Sequence, residues 1–437
     1  MFQRFLLRQY YKIYRLDNWT RRHFTFSGHL VVIVMFAAMI FGVDTKHSNT
    51  YQLFVFLLIL LSLAIINSFF NRLKVSIKRQ LPRYGTVAEP LTYSVTLKNK
   101  TNKYYDKLTL IERLQDDFPE AHQLHDFYQQ KGIINFRKWR KFLSYQRGGV
   151  IDETPLATLT HKPLQINVSF TPIRRGKMTL DNSYLAKPDI LGLFRKLILL
   201  DDKQSLIVLP QRYPIKPLKL AGKRKYQAGG VSLANSVGDS SEFMSLRDYQ
   251  QGDALNTIHW KSYAKHGKLI VKEYQDEYFV RRALLLDTFV GNKDREQFEA
   301  AVSVAASIAI TERQNEALLD LMFVGLETYR FTTGRGVDHL PHLQEILASV
   351  QASSESAFEK LQKAVLTNSG CCSSFVCVLM HWDEPRQNLI KQLLGNDLPV
   401  AVFLLDDGTL NLEQCEYKPE HFYLLNYHHL AADLAAI

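Results

Sequence analysis

The densest run of chemistry-bearing side chains is Gly238-Asp-Ser-Ser-Glu-Phe-Met-Ser-Leu-Arg-Asp-Tyr-Gln-Gln-Gly-Asp253, continuing through Ala-Leu-Asn-Thr-Ile-His-Trp-Lys261 to Ser-Tyr-Ala-Lys-His-Gly-Lys268. Two kinds of work fit charges of both signs interleaved with aromatic rings. Arg247, Asp248, Asp253 and Lys261 can form a local network of ion pairs and caps that makes a connection rigid. The same charges, with Trp260 among them, can form a surface on which another protein docks. The spacing also predicts a helix. Asp253 follows Gly252 and can cap it through its carboxylate, and Leu255 and Ile258 stand three apart on one face. Gly267 can take the left-handed conformation that ends it, before the strand Leu269-Ile-Val271.

Other chemistries find no comparable residue set. There is no GxxxxGK[ST] phosphate loop, no GxGxxG between strand and helix, no HExxH and no GxSxG, so nucleotide hydrolysis is not expected of this chain. His259, His266 and His381 stand alone, without ligand spacing. Cys371-Cys372 opens an apolar run and reads as core rather than as a nucleophile. No catalytic set emerges, and an enzyme using the polar segment as its site remains the alternative to a scaffold.

The elements that must position this segment follow from length and hydropathy. A chain of 437 residues exceeds one ordinary core, and 46% hydrophobic residues can support several. The net charge of +11 lies largely beside two apolar runs near the N-terminus, so membrane topology accounts for it better than nucleic acid, which is not an expected partner. Phe26 to Val43 and Tyr51 to Phe70 each approach the ~20 residues that cross a bilayer as helix. Arg4, Arg8, Lys12, Arg15, Arg21 and Arg22 precede the first run, and Arg72, Lys74, Lys78, Arg79 and Arg83 follow the second, while Lys46 is the one basic residue in the link. The positive-inside rule places both ends in the cytoplasm, as a two-helix transmembrane hairpin in a bacterial inner membrane. Phe2, Phe5, Leu6, Tyr10, Ile13 and Tyr14 repeat at helical spacing, which suits a helix lying among lipid headgroups or one packed on the body.

Five segments result: 1–25, basic and amphipathic; 26–70, the transmembrane hairpin; 75–215, a β-sandwich-like domain; 216–280, a basic connector with the polar signature; and 281–437, an α/β domain. In the third, Leu91 to Leu97 and Leu164 to Phe170 alternate as strands, Phe118 to Gly148 reads as a long inserted loop, and Leu206 to Pro210 reads as the last edge. In the fifth, strands at 283–289, 318–324, 375–380 and 400–405 alternate with helices, the pattern of a mostly parallel, doubly wound sheet. Cys371, Cys372, Cys377 and Cys415 form no CxxC pair and suit a reducing compartment.

The run SLRDYQQGDALNTIHWKSYAKHGKLIVKEY resembles the signature of the DUF58 family, with RRGKMTLDNSYLAKPDILGLF in support. The resemblance implies a von Willebrand factor A-like C-terminal domain and association with MoxR-type AAA+ ATPases, as a membrane-tethered adaptor rather than an enzyme. Such a domain with a working metal site presents Asp-x-Ser-x-Ser after its first strand, which gives Mg²⁺ hard oxygen ligands. Here the run is Asp287-Thr-Phe-Val-Gly291, so Phe289 and Gly291 stand at the serine positions. Asp287 and Asp383 are the candidate metal carboxylates, with Thr332 and Thr333 as candidate hydroxyls, and Mg²⁺ is not expected to bind so depleted a set. The function that follows is a membrane-anchored scaffold working with a MoxR-type ATPase in the assembly or maturation of other proteins.

Overall fold

The structure, a computed structural model, describes residues 2–41, 48–70, 73–101, 103–115, 136–218, 220, 243–253, 255–274, 281–289, 295–314, 318–324, 328–333, 339–353, 358–410 and 417–437. Most of the inserted segment, the connector beyond Leu218 and the start of the polar signature lie outside these residues. The chain forms two compact units. One is Met1–Arg212 with Asn292–Arg295 and Pro341–Val350; the other is Tyr213–Gly291 with Glu296–Leu340 and Gln351–Ile437.

The first unit begins with three helices, α1 (Phe2–His23), α2 (Phe26–Phe41) and α3 (Ser48–Phe70). Among the described residues only α3, through Asn49–Ser68, is long and apolar enough to cross a membrane. Of the expected pair of spans, one candidate remains among the described residues. At 1.5 Å per residue the 16-residue α2 reaches only about 24 Å, short of a hydrocarbon core of about 30 Å. Its start is polar because Thr25 caps it, accepting from the Gly28 amide at 3.1 Å. Inside α3 the Ser62 hydroxyl donates back to Leu58 O at 2.8 Å, which satisfies that polar group within an apolar run.

The β-rich body of this unit holds β1 (Val75–Gln80), β2 (Tyr84–Thr86), β3 (Leu91–Asn99), β4 (Thr109–Ile111), helix α4 (Phe136–Arg147), β5 (Thr154–Pro155), β6 (Leu164–Phe170), β7 (Gly176–Leu180), β8 (Ser183–Pro188), β9 (Arg195–Leu200) and β10 (Gln204–Leu209). They pair as sheets β1-β3-β6, β2-β10-β7 and β5-β4-β8-β9. The alternation in β3 is realised: Tyr93, Val95 and Leu97 face a core shared with Val168 and Phe170 of β6 and with Leu180, Leu185 and Val208. β10 is not the last edge but the centre of its sheet, parallel to β2 and antiparallel to β7. Within the core, Arg79 meets Glu112 at 2.7 Å and Ser183 at 2.7 Å, so neither charge is left bare.

The end of the expected loop is helical. Phe136, Trp139 and Leu143 recur at helical spacing in α4, but Arg and Lys residues crowd between them and mask the period. Trp139 and Leu143 pack with Tyr14 of α1 in a small satellite core. The amphipathic α1 thus lays one face on the body, while Ile13, Leu16 and Trp19 stay about half exposed.

The second unit contains β11 (Phe243–Asp248), helix α5 (Trp260–His266), β12 (Ile270–Tyr274), β13 (Arg281–Leu286), α6 (Arg295–Gln314), β14 (Leu318–Val324), β15 (Thr328–Thr333), α7 (His339–Ser349), α8 (Phe358–Asn368), β16 (Ser374–Leu379), α9 (Glu384–Gly395), β17 (Val400–Asp406), β18 (His421–Asn426) and α10 (Leu430–Ala436). By its contacts most of α7 belongs to the first unit. The main sheet runs β15-β14-β13-β16-β17-β18, parallel except for the antiparallel edge β15. Its central strands are apolar on both faces: Ala283 to Leu286 and Phe375 to Leu379 are fully buried, as strands covered on two sides must be.

Replacing Trp139 by Ala should loosen α4 from α1 at a cost of about 3–5 kcal/mol. Faster amide exchange in 8–23 and 136–147, with β3 and β6 unchanged, is the expected result.

Candidate functional site

The polar signature folds as a two-stranded antiparallel ribbon with a short helix between its strands. β11 and β12 pair through Arg247↔Val271 and Asp248↔Ile270. The helix predicted from Asp253 starts later, at Trp260, preceded by a single tight turn at Leu255–Thr257. Asp253 does not cap it. Its carboxylate closes a turn by accepting from the Gln250 amide at 2.9 Å, and takes both outer nitrogens of Arg247 at 2.7 and 2.8 Å. Gly267 ends the helix at φ 66°, donating to Tyr263 O, in the role its spacing suggested.

Of the four charged residues expected to form one network, the structure joins Arg247 to Asp253 side chain to side chain. Asp248 contributes its carbonyl to Arg247, and its side chain, like that of Lys261, is exposed. The Arg247 guanidinium and the Gln250 amide hold the Asp253 carboxyl at about 2, below the usual carboxylate value.

Apolar residues divide sharply in this ribbon. Ile258 and Val271 bridge to each other and are buried, so Leu255 and Ile258 do not share a face. Leu255 at 69% and Trp260 at 60% are the most exposed large apolar side chains of the ribbon, with Leu246, Tyr263 and Leu269 also outside. Trp260 stands edge-on to Tyr263 at 6.1 Å. A two-stranded ribbon has little core of its own, so five outward apolar side chains on it are unusual for a surface with no other task.

The candidate metal carboxylates occupy the carboxyl edge of the main sheet. From β13 the chain crosses to β14 on one side, while β16 lies on the other, so Asp287 after β13 and Asp383 after β16 flank the point where open parallel sheets form a crevice. The two carboxylates do converge, but on Arg386. Its Nε donates to Asp287 Oδ2 at 2.7 Å, its Nη1 donates to Asp383 Oδ2, and its side chain is 4% exposed. Asp287 also accepts from the Phe289 amide at 3.0 Å, and Asp383 caps α9 by accepting from the Arg386 amide at 3.2 Å. Burial works against the charge on Arg386, yet Asp287 and Asp383 outweigh it and raise its pKa.

These residues do not fit Mg²⁺. The guanidinium holds the position between the carboxylates, Phe289 fills a serine position with a buried ring, and Arg386 lies 4.7 Å from the Phe358 ring centre. Thr332 and Thr333 are corrected too. They pair with Asp320 and Leu319 in the edge strand β15, level with the start of β13, at the opposite end of the sheet from Asp287. Sequence reasoning missed Arg386, whose one local signal was its place three residues after Asp383. It also missed Gln297, whose Nε2 donates to Met380 O and Leu405 O at 2.6 and 2.8 Å and ties the ends of β16 and β17.

Two outcomes follow. Arg386→Met should cost about 3–5 kcal/mol because it leaves Asp287 charged and unpaired in the interior, and adding Asp287→Asn should recover part of the loss. Thermal melts of the parent and of these two variants check this, and an Arg386→Met protein as stable as the parent refutes it. Because the Asp253 value is depressed, the ion pair stabilises the ribbon fully above the ordinary carboxylate range, and that contribution is lost as pH falls toward about 2. Protection of the Gln250 amide, corrected for intrinsic exchange, should decline over that window, and Asp253→Asn should remove the dependence.

A family model described as "Protein of unknown function DUF58" matches residues 245–373. A Bacillus subtilis protein described as "Uncharacterized protein YeaD" is 28% identical over 191 residues, which make up 43% of this chain and 46% of that relative. The match thus spans less than half of the relative's length. Among solved structures, a CARDB domain from Pyrococcus furiosus covers 31% of this chain and 93% of its own, at 10% identity and a TM-score of 0.18. A cohesin module from Clostridium perfringens covers 31% and 98%, at 8% identity and a TM-score of 0.17. Likenesses so slight bear on nothing further. The matched segment, Ser245 to Ser373, takes in most of the ribbon with its exposed Trp260 and the strand β13 that leads into Asp287.

Proposed function

We propose that this protein is a membrane-anchored scaffold whose DUF58 ribbon docks a partner protein, a MoxR-type AAA+ ATPase being the partner the resemblance implies, in the assembly or maturation of other proteins. The observation that carries the reading is the exposed set Leu246, Leu255, Trp260, Tyr263 and Leu269 on a ribbon stiffened by the Arg247–Asp253 pair. Large aromatic side chains held on a rigid support are what a docking surface needs, because little freedom is lost on binding. Asp248 and Lys261 lie exposed in the same segment and supply charge for orienting the partner. The polar groups of the segment with partners hold the ribbon's own turns, which favours docking over an undetected enzyme site.

The anchor is α3, with the shorter α2 packed beside it, and the basic residues that flank the two helices favour a bacterial inner membrane with the β-rich body on its cytoplasmic side. The second unit is read as von Willebrand A-like, with Arg386 supplying internally the positive charge that a metal supplies in such domains.

The test is affinity capture of the intact protein from detergent-solubilised cells, with and without ATP. Recovery of a MoxR-type ATPase in a nucleotide-dependent way supports the reading, and its absence under mild crosslinking overturns it. Trp260→Ala should lower capture at least tenfold, the ~1.4 kcal/mol or more expected of a buried aromatic anchor. Arg247→Ala should weaken capture less, through the loosened ribbon, and undiminished capture by both folded variants counts against docking here.

A further inference from the structure

The β8–β9 hairpin of the first unit carries a loop, Pro188 to Phe194, with an unusual polar balance. Asp189 alone answers four consecutive amides: its carboxylate accepts from Leu191 at 2.9 Å, Leu193 at 2.7 Å and Phe194 at 2.8 Å, and its carbonyl accepts from Gly192 at 3.1 Å. The carbonyls that follow are also engaged. Thr25, at the head of α2, donates its hydroxyl to Gly192 O at 2.5 Å and its amide to Leu193 O at 3.1 Å. The tip is apolar and outward, with Ile190 at 86% and Leu191 at 52% exposure. A loop with four consecutive amides satisfied and hydrocarbon side chains at its tip loses less by leaving water than an ordinary polar turn does.

The same loop is fastened to the entrance of the apolar helices. Phe24 and Phe194 form a β-bridge, and Arg195 donates to Arg21 O at 2.8 Å. Gly28 permits the contact, since a Cβ there would sit 2.0 Å from Leu193 O. Around the junction the rings of Trp19, His23, Phe24 and Phe194 follow one another at centroid spacings of 4.6 to 6.2 Å, and Arg21, Arg22 and His23 make up a basic last turn of α1. Phe26, the first residue of α2, is 86% exposed. Aromatic rings and basic side chains at the mouth of an apolar helix are the composition of a membrane–water interface.

We infer that the Ile190–Leu191 tip is seated in the headgroup layer of the bilayer, so that the β-rich body is held flat on the membrane by a second contact beside its helices. This rests on the reading that α3 crosses the membrane. The occupant is lipid, because the tip is continuous with the surface of α2 and its rim is basic.

The experiment uses the full chain in nanodiscs of phosphatidylethanolamine and phosphatidylglycerol, with Cys371→Ser and Cys415→Ser and the buried Cys372 and Cys377 retained. Single spin labels are placed through Ile190→Cys, Lys203→Cys at the far end of β9, and Leu63→Cys in α3. Collisions with oxygen, which partitions into lipid, are compared with collisions with a water-soluble nickel chelate. The expected result is an oxygen-to-nickel ratio at 190 several-fold above that at 203 and below that at 63. Adding Gly28→Val should move the 190 label toward the aqueous value and leave 63 unchanged. A label at 190 that matches 203 while 63 reads as lipid overturns this inference alone. An aqueous reading at 63 overturns the membrane anchor and the inference with it. Lipid-like readings at both 190 and 203, or a 190 label insensitive to Gly28→Val, also overturn it.

Discussion

Arg386 enters the carboxyl edge of the parallel sheet from the first turn of α9 and meets Asp287, which is wholly buried, and Asp383, which caps that turn. Two regions far apart in the chain are fixed by it: the end of β13, and the link from β16 into the head of α9. Burying one such charge alone costs several kcal/mol, so each member holds the others in place. The geometry is also specific, since a planar guanidinium must offer separate nitrogens to two carboxylates from different segments. Among the described residues, the place where open α/β sheets ordinarily take a ligand is occupied here by this ion-paired cluster.

That shifts attention to the ribbon, which is the opposite kind of object. The sheet buries nearly all its apolar residues, whereas the ribbon buries Ile258 and Val271 and turns larger ones outward. Two strands and one short helix offer little hydrophobic stabilisation, so the bidentate Arg247–Asp253 pair and the Gln250 turn supply order that packing does not. An ion pair partly open to water contributes modestly to overall stability. Its main effect is to fix the path of the turn, and with it the position at which Trp260 begins the helix.

Much of the fold was legible because burial on two sides or one leaves a direct imprint on sequence. The continuous apolar runs of β13, β16 and β17 and the alternation of β3 and β6 are such imprints. The edge strand β15 and the strand β18 were not read, since an edge carries fewer apolar residues and a weaker pattern. Helix α4 escaped because its buried residues are few and its other positions strongly basic. At the candidate site, Gly267 was readable since left-handed backbone favours one residue type, and the Arg247–Asp253 pair since its members are six residues apart. The partner of Asp287 lies 99 residues away, and the one local signal of Arg386, its place three residues after Asp383, points to Asp383 and not to Asp287.

The first unit raises a different question, which is why a body with its own core should be tied to the first turn of α2 at all. A domain joined to a membrane helix by a loose chain explores a hemisphere of orientations, and every binding event must then select one of them. The Thr25, Gly28 and Asp189 contacts remove that freedom within the unit, because the hairpin and the helix head share hydrogen bonds rather than a linker. Gly28 makes this possible at the cost of a weaker helix start, glycine being a poor helix former. A sequence that accepts that cost where alanine would serve the helix better gains a fixed angle between the head of α2 and the β-rich body of the same unit.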